Sequence, residues 1–349
     1  MSIESVNVAI LGASGYVGAE LIRLLAIHPR ANIRALSADR KAGQPICEVY
    51  PHFRVFNLPV LQKISQVNFE QIDIIFCALP HATSQEVVRS LPSDKIVIDL
   101  SADFRIWNTN LYEEIYDTPH KAPELQPSAT YGLTEVYGAA IATSNLIACP
   151  GCYPTSALLP LVPLIKARSI KVKNIVIDSK TGVSGAGRGL KEGILFAEVA
   201  EGIHAYGIGT HRHAPEIEQI LTDANGGDQI SVTFTPHLVP MNRGILSTIY
   251  VNSAPHHDVK RIHTVLEKTY ANHKFVHVLP SGEVPATRHV RGTNHVMIGT
   301  FAGRVSGQLI VVCAIDNLTK GSSGQAVQNM NIRMGWPEEE GLQTAALFP

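Results

Sequence analysis

The sequence predicts an α/β protein in two parts, and three observations carry that expectation. A strand-like run over 6–11 ends in the glycine turn Gly12-Ala13-Ser14-Gly15-Tyr16-Val17-Gly18. It passes into a segment where Leu21, Ile22, Leu24 and Leu25 recur at helical spacing. Apolar runs over 32–37, 72–79 and 95–100 follow at the spacing of alternating strands and helices, as parallel strands covered on both faces require. In the second half, strand patterns over 229–235, 244–251, 296–300 and 309–314 surround a helix over 258–270, which predicts a mixed or antiparallel sheet. The first part therefore reads as a Rossmann-type, doubly wound domain over 1–150, rejoined by a C-terminal helix over about 318–349. The second, over 151–317, reads as an α+β domain with a mixed sheet suited to catalysis and dimerisation.

Each element has a local reason. Strand, glycine turn and helix in succession give the Gly-x-x-Gly-x-x-Gly spacing its meaning. The first glycine permits a tight turn, the second lets backbone approach a pyrophosphate, and the third allows close helix packing. The next strand ends at Ser37, followed by Ala38-Asp39-Arg40-Lys41. Asp39 could hold a ribose 2′-hydroxyl, but the adjacent cations Arg40 and Lys41, just after Ser37, suit a 2′-phosphate and favour NADP over NAD. The strand over 95–100 delivers Ser101-Ala102-Asp103-Phe104-Arg105 to the carboxyl end of the sheet, and Arg105 there is a candidate anion clamp.

The stretch Cys149-Pro150-Gly151-Cys152-Tyr153-Pro154-Thr155 places a thiol where an extended apolar run breaks and a helix begins near Tyr153 and Pro154. A cysteine just ahead of a helix N-terminus meets unpaired N–H groups and the positive end of the macrodipole, which favour thiolate over thiol. Cys152 is therefore a candidate nucleophile. No second Cys-x-x-Cys exists, and Cys47, Cys77 and Cys313 stand alone, so no metal site is expected. A strand over 174–179 opens into a loop over 180–189, where Ser184 and Gly185 could wrap an anion through backbone N–H groups. His211-Arg212-His213-Ala214-Pro215-Glu216-Ile217 precedes an amphipathic helix and supplies a candidate general base with an anion contact.

Composition bounds the rest. The chain has 349 residues, 29 basic and 30 acidic side chains, and a formal charge of -1. That is long enough for two cores and lacks the basic field of a nucleic-acid binder. Residues 1–6 lack a signal-peptide pattern, and the most apolar stretch, 157–165, carries Pro160 and Pro163 and is too short to span a bilayer. Five cysteines, odd and sparse, suit a reducing compartment. The expectation is a cytoplasmic protein with no membrane or nucleic-acid partner.

Taken together, the segments over 12–18, 101–105, 150–155, 179–188, 211–217, 235–241 and 316–328 resemble, in order, the N-acetyl-gamma-glutamyl-phosphate reductases of the semialdehyde dehydrogenase superfamily. Pro-Gly-Cys-Tyr-Pro-Thr and His-Arg-His-x-Pro-Glu-Ile together are the specific part, and the resemblance covers essentially the whole chain. It implies that Cys152 attacks a small acyl-phosphate substrate, expels phosphate and forms a thioester that NADPH reduces to the semialdehyde, a step of arginine biosynthesis. It further implies that His213 carries the proton, with His211 a substrate contact or the alternative base, that Arg212, Arg105, Ser184 and Gly185 contact substrate, and that Asn317 lies near the nicotinamide. Homodimers or homotetramers are implied as well. The family commonly has asparagine where this chain has Cys149, and a reversible disulfide between Cys149 and Cys152 is a second expectation. Rival readings are a related acyl-phosphate reductase, acting on aspartyl or N-acetyl-aminoadipyl phosphate, or a non-enzymatic NADP-binding redox sensor.

Overall fold

The computed structural model describes residues 5–348. The chain divides into two compact units. One runs up to Pro150 and takes in Ser322–Gln343, and the other comprises Gly151–Gly321 with the residues from Thr344 on.

The first unit is built on β1 (Val6–Leu11), α1 (Tyr16–Leu25), β2 (Ala31–Ser37), the single turn α2 (Ile46–Val49), β3 (Leu61–Gln62), β4 (Ile74–Cys77), α3 (Ser84–Ser90), β5 (Ile96–Asp99), α4 (Thr109–Tyr116), β6 (Ala129–Tyr131), α5 (Thr134–Ile141) and β7 (Leu146–Ala148). Its seven strands lie in the order β3-β2-β1-β4-β5-β7-β6, and every pairing is parallel. The order reverses between β1 and β4, so the crevice beyond their carboxyl ends is where such a sheet binds ligands. All four β4 residues are buried, as the continuous apolar run predicted. Ala9, Leu11, Ile75, Cys77, Val97 and Ala148 form part of one core on this sheet.

The second unit contains α6 (Cys152–Lys166), β8 (Ile175–Thr181), the turn α7 (Phe196–Val199), β9 (His204–Ala205), α8 (His213–Ala224), β10 (Val232–Leu238), β11 (Ile245–Asn252), α9 (Val259–Tyr270), β12 (Val276–Val278), β13 (Val296–Ala302) and β14 (Gln308–Ile315). The sheet order is β12-β13-β14-β11-β8-β10-β9. The pairs β8–β10 and β12–β13 are parallel and the other four are antiparallel. Strict alternation of burial along β8 and β11 shows that one face is fully packed and the other half-covered. The packed face carries α6 through Ser156 on Ser247, α9 through His263 on Thr300, and Tyr153 on Phe234. The opposite face carries Val176, Tyr250, Ile310 and Phe301 side by side on four neighbouring strands.

Two helices depart from the sequence expectation. Helix α6 starts at Cys152 itself, with Gly151 as N-cap, and continues through Pro160 and Pro163 to Lys166. Proline removes the N–H that would bond the carbonyl four residues back. For Pro163 that carbonyl is Leu159's, and it accepts the Tyr270 hydroxyl from α9 instead. The C-terminal helix, α10 (Gly324–Arg333), is much shorter than expected and belongs to the first unit. Gly335 takes φ +69° and donates to Ile332, and Trp336 donates to Asn331, a complete Schellman termination.

Candidate active site

Cys152 is the first residue of a 15-residue helix, where N–H groups lack intrahelical partners and the dipole is positive. Pro154 in the first turn has no N–H to leave unsatisfied. The Thr155 N–H and Oγ1 both donate to the Gly151 carbonyl, at 2.9 and 3.0 Å, which fixes the entry of the chain into the helix. Cys152 is half-buried, whereas Cys77, Cys149 and Cys313 are buried. Burial raises the thiol pKa of each of those three, that of Cys149 to about 12. No disulfide joins the five cysteines, and no cluster of three metal-ligating side chains occurs among the described residues.

His213 opens α8 and is 8% exposed. Its ring lies on Gly151, so close that a β-carbon built there would sit 2.6 Å from His213 Nε2. On the other side, the Gly151 N–H donates to Glu216 Oε1 at 2.8 Å, and Glu216 is fully buried. Glycine at 151 is therefore demanded by the imidazole beside it. The residue next to the thiol is held between a histidine and a carboxylate from one turn of α8.

His211 occupies a different environment. Tyr153, Tyr206, Phe234 and His213 surround its ring edge-on, with centroids 4.9 to 5.6 Å away. Burial, with the Arg212 cation adding to it, pushes the imidazole down to about 4. The His213 N–H donates to His211 Nδ1 at 3.1 Å, which leaves the proton of the neutral ring on Nε2. Burial and the Arg212 cation both disfavour the protonated His211 ring, and its Nδ1 supports the start of α8 by accepting the His213 backbone N–H. Arg212 is exposed at the N-cap. The Tyr153 and Tyr206 hydroxyls are 2.7 Å apart. Burial raises both pKa values, that of Tyr206 to about 12, and the nearby Cys152 charge acts in the same direction on each.

Other expected contacts are placed differently. In the loop after β8, the N–H groups of Gly182, Val183 and Ser184 donate to the carbonyls of Gly244, Met241 and Asn242, and that of Gly185 to Gly182. The N–H groups of Ser184 and Gly185 are therefore engaged within the protein. Asn317 Nδ2 donates to Ser184 Oγ at 3.0 Å, and Asn317 Oδ1 accepts the Gly244 N–H at 2.8 Å, so this amide ties the two loops together. Arg105 is 7% exposed, with Nε on the Cys149 carbonyl at 2.7 Å and Nη2 on the Leu100 carbonyl at 2.9 Å. It holds the ends of β5 and β7, which the expectation of a simple anion clamp had missed. Glu216 and Tyr206 were also missed as individual site residues. Glu216 sat within the quoted motif, but nothing in its spacing showed that it would reach Gly151.

The glycine turn of the first unit fits a dinucleotide. Gly12 takes φ +88°, and a β-carbon on it would lie 2.2 Å from the Ala78 carbonyl at the exit of β4. One on Gly18 would lie 2.4 Å from the Gly12 carbonyl. On Gly15, the N-cap of α1, a β-carbon would meet only the Gly12 carbonyl at 3.6 Å, so this position remains open for a ligand. Ser37 is buried, and its carbonyl accepts the Gly12 and Ala13 N–H groups, so it shapes the turn from below. Arg40 and Lys41 are exposed just beyond β2. Ala13 is buried, Ser14 and Val17 are half-buried, and Tyr16 opens α1.

A doubly wound parallel sheet with this turn, followed by a mixed-sheet unit that starts at a helix-borne thiol, defines a semialdehyde dehydrogenase-type oxidoreductase. The semialdehyde dehydrogenase NAD binding domain matches residues 7–144, and the semialdehyde dehydrogenase dimerisation domain matches 152–317. The chain is 55% identical to an N-acetyl-gamma-glutamyl-phosphate reductase of Rhodospirillum rubrum, over 99% of both chains. It is 52% identical to a probable chloroplastic one of Oryza sativa, over 99% of this chain and 83% of that protein. The chain belongs to the N-acetyl-gamma-glutamyl-phosphate reductase family. The fold is similar to that of aspartate semialdehyde dehydrogenase II of Vibrio cholerae, with TM-score 0.70 at 20% identity over 94% of this chain and 98% of that one.

Proposed function

We infer that the protein reduces N-acetyl-L-glutamyl 5-phosphate to N-acetyl-L-glutamate 5-semialdehyde in arginine biosynthesis, with release of inorganic phosphate. The observation that carries the reading is Cys152 at the start of α6, with the His213 ring on the residue before it. Cys152 gives its proton to His213, and Sγ attacks the acyl carbon. The carbon–oxygen bond to phosphate breaks, phosphate leaves with its electron pair, and a thioester remains. NADPH held at the glycine turn of residues 12–18 would supply the hydride that reduces this carbonyl. His213 protonates the resulting oxyanion and takes the proton back as the carbon–sulfur bond breaks, which frees the aldehyde and regenerates the thiolate. Splitting one hard reduction into two steps is what the thiol contributes.

The glycine turn of residues 12–18 is assigned to the pyrophosphate, and exposed Arg40 beyond β2 to the 2′-phosphate of NADP. Arg212, exposed beside His213, is assigned to the charge of the substrate. Arg105 is assigned a positioning role through the Cys149 carbonyl that it holds. Asn317 is assigned the same kind of role, in the loops around Ser184 and Gly244. The half-covered sheet face with Val176, Tyr250, Ile310 and Phe301 suits a second copy of the chain, and the match to a dimerisation domain supports a homo-oligomer. No described helix is long and apolar enough to cross a membrane. A reducing cytoplasm suits a reaction that depends on a thiolate.

The test runs the reaction in reverse. Phosphate-dependent formation of NADPH from N-acetyl-glutamate semialdehyde is expected, with much lower rates for aspartate semialdehyde and N-acetyl-aminoadipate semialdehyde. Equal or faster turnover of either competitor would move the assignment to that substrate, and no turnover of all three would defeat it.

A further inference from the structure

We propose that Glu216 is a positioning residue of the reaction, acting through its hydrogen bond to the Gly151 N–H, and this rests on the reductase reading above. Three placements support it. The carboxylate is fully buried, although nothing in the chemistry just described uses it. Its Oε1 accepts the N–H of the N-cap residue of α6, at 2.8 Å, directly before the nucleophile. It stands three residues after His213 on α8, the spacing at which helical side chains are neighbours.

Gly151 is thereby gripped from two sides by one helix turn, by the His213 ring on its α-carbon and by Glu216 on its N–H. Helix α8 places the proton carrier, and the same helix, through Glu216, places the peptide that leads into the thiol. The distance between base and nucleophile is then set within one rigid element pair rather than by a loop. A negative charge beside Gly151 works against a thiolate at Cys152. The useful effect of Glu216 therefore comes through the bond, and a neutral acceptor of the same length serves nearly as well.

That statement separates three variants. Glu216→Gln keeps an acceptor oxygen at the same reach and loses the charge. Glu216→Asp keeps the charge and is one carbon short of the Gly151 N–H. Glu216→Ala loses both. The expected result is kcat within about threefold of the parent for Gln, and about a hundredfold lower for Asp and Ala, as small misplacements of reacting groups produce. KM for the semialdehyde is expected to stay within about threefold throughout, since the substrate does not touch this side chain. Circular dichroism and thermal unfolding establish which variants fold, and Gln against Asp decides the matter if Ala does not. A Gln variant as impaired as Asp would overturn the proposal, because charge and not the bond would then be what matters. Parental activity in Asp or Ala, or a Gln variant that fails to fold, would overturn it too.

A readout without substrate keeps this distinct from the assigned reaction. Alkylation of Cys152 by iodoacetamide, measured against Cys152→Ser as blank, is expected to be slowed in Asp and Ala and unchanged in Gln. If the parent protein turns over no semialdehyde, the reductase reading fails, and the alkylation series still decides on Glu216.

Discussion

Cys149 and Cys152 are three residues apart and differ in almost every physical respect. Cys152 opens a helix and is half-buried, whereas Cys149 is 1% exposed and receives the Asn329 amide on its sulfur at 3.5 Å. Burial drives the Cys149 thiol up to about 12, so at neutral pH it stays protonated and is a poor attacking group for a disulfide. The disulfide expected from sequence is thus disfavoured by solvation rather than by spacing. Cys152→Ser is expected to lose at least about a thousandfold in kcat, as removal of a covalent nucleophile does. Cys149→Ser is expected to retain turnover and to be destabilised by about 1 kcal/mol, since a serine oxygen can accept the Asn329 amide. Parental rates of phosphate-dependent NADPH formation in the Cys152 variant would end the covalent mechanism. Loss of turnover with Cys149→Ser would instead favour the dithiol redox reading. The helix start at Cys152 was legible because a Pro-Gly break before an apolar run marks one. The inertness of its neighbour was not, because burial depends on α10 returning to that strand.

At the scale of elements, α6 shows how a rule of local structure yields to packing. Prolines at 160 and 163 argue for ending the helix before them, yet it runs on to Lys166. Thirteen of its residues are buried, and the carbonyl left unpaired by Pro163 finds the Tyr270 hydroxyl on α9, about a hundred residues further along the chain. Tertiary burial outweighs a cost of about 3 kcal/mol for proline in a helix when the lost hydrogen bond is replaced. Tyr270→Phe removes that replacement and leaves the Leu159 carbonyl buried and unsatisfied. A loss of about 1–3 kcal/mol is expected in urea unfolding, with little change in kcat because the deletion lies beyond the second turn from Cys152. Unchanged stability in that variant would show that the carbonyl finds another donor. Five of the seven strands of the second sheet were readable from their apolar patterns, though β10 begins three residues later than its run. The two-residue strands β3 and β9 carry too few residues for any period to show.

For the whole molecule, five histidines hold their proton less readily than in a free chain: His28, His120, His211, His277 and His295, each mainly through burial. Unfolding exposes them to their ordinary value of 6.5, so between the folded and unfolded values the unfolded chain binds more protons. The stability they contribute is complete above pH 6.5 and is lost as pH falls below it. Asp99 opposes them, because burial, with Asp103 adding to it, raises its carboxyl to about 6, and the folded state then gains a proton first. The fall at His211 is about as large as the rise at Asp99, and the other four histidines add to the loss. The thermal midpoint is expected to fall steadily from pH 7 to pH 5, and a flat or rising profile would contradict this balance. The half-covered sheet face is the second property at this scale. Tyr250→Glu places a charge in the row Val176, Tyr250, Ile310 and Phe301, and is expected to shift sedimentation from oligomer toward monomer. An unchanged oligomer would place the interface elsewhere.

The sequence by itself determined the α/β class, the glycine turn, the thiol at a helix start and the histidine helix start, because each rests on neighbours within a few residues. Turn geometry, helix periodicity and end effects are local, and local physics is written in local spacing. Only the tertiary structure decided which histidine lies on Gly151, that Arg105 holds the Cys149 carbonyl, that the N–H groups of residues 182–185 are engaged within the protein, and that Glu216 meets Gly151. Those facts depend on pairs 44 to 65 residues apart or on burial. No spacing rule encodes them, because solvation and hydrogen-bond partners are settled only when distant segments pack.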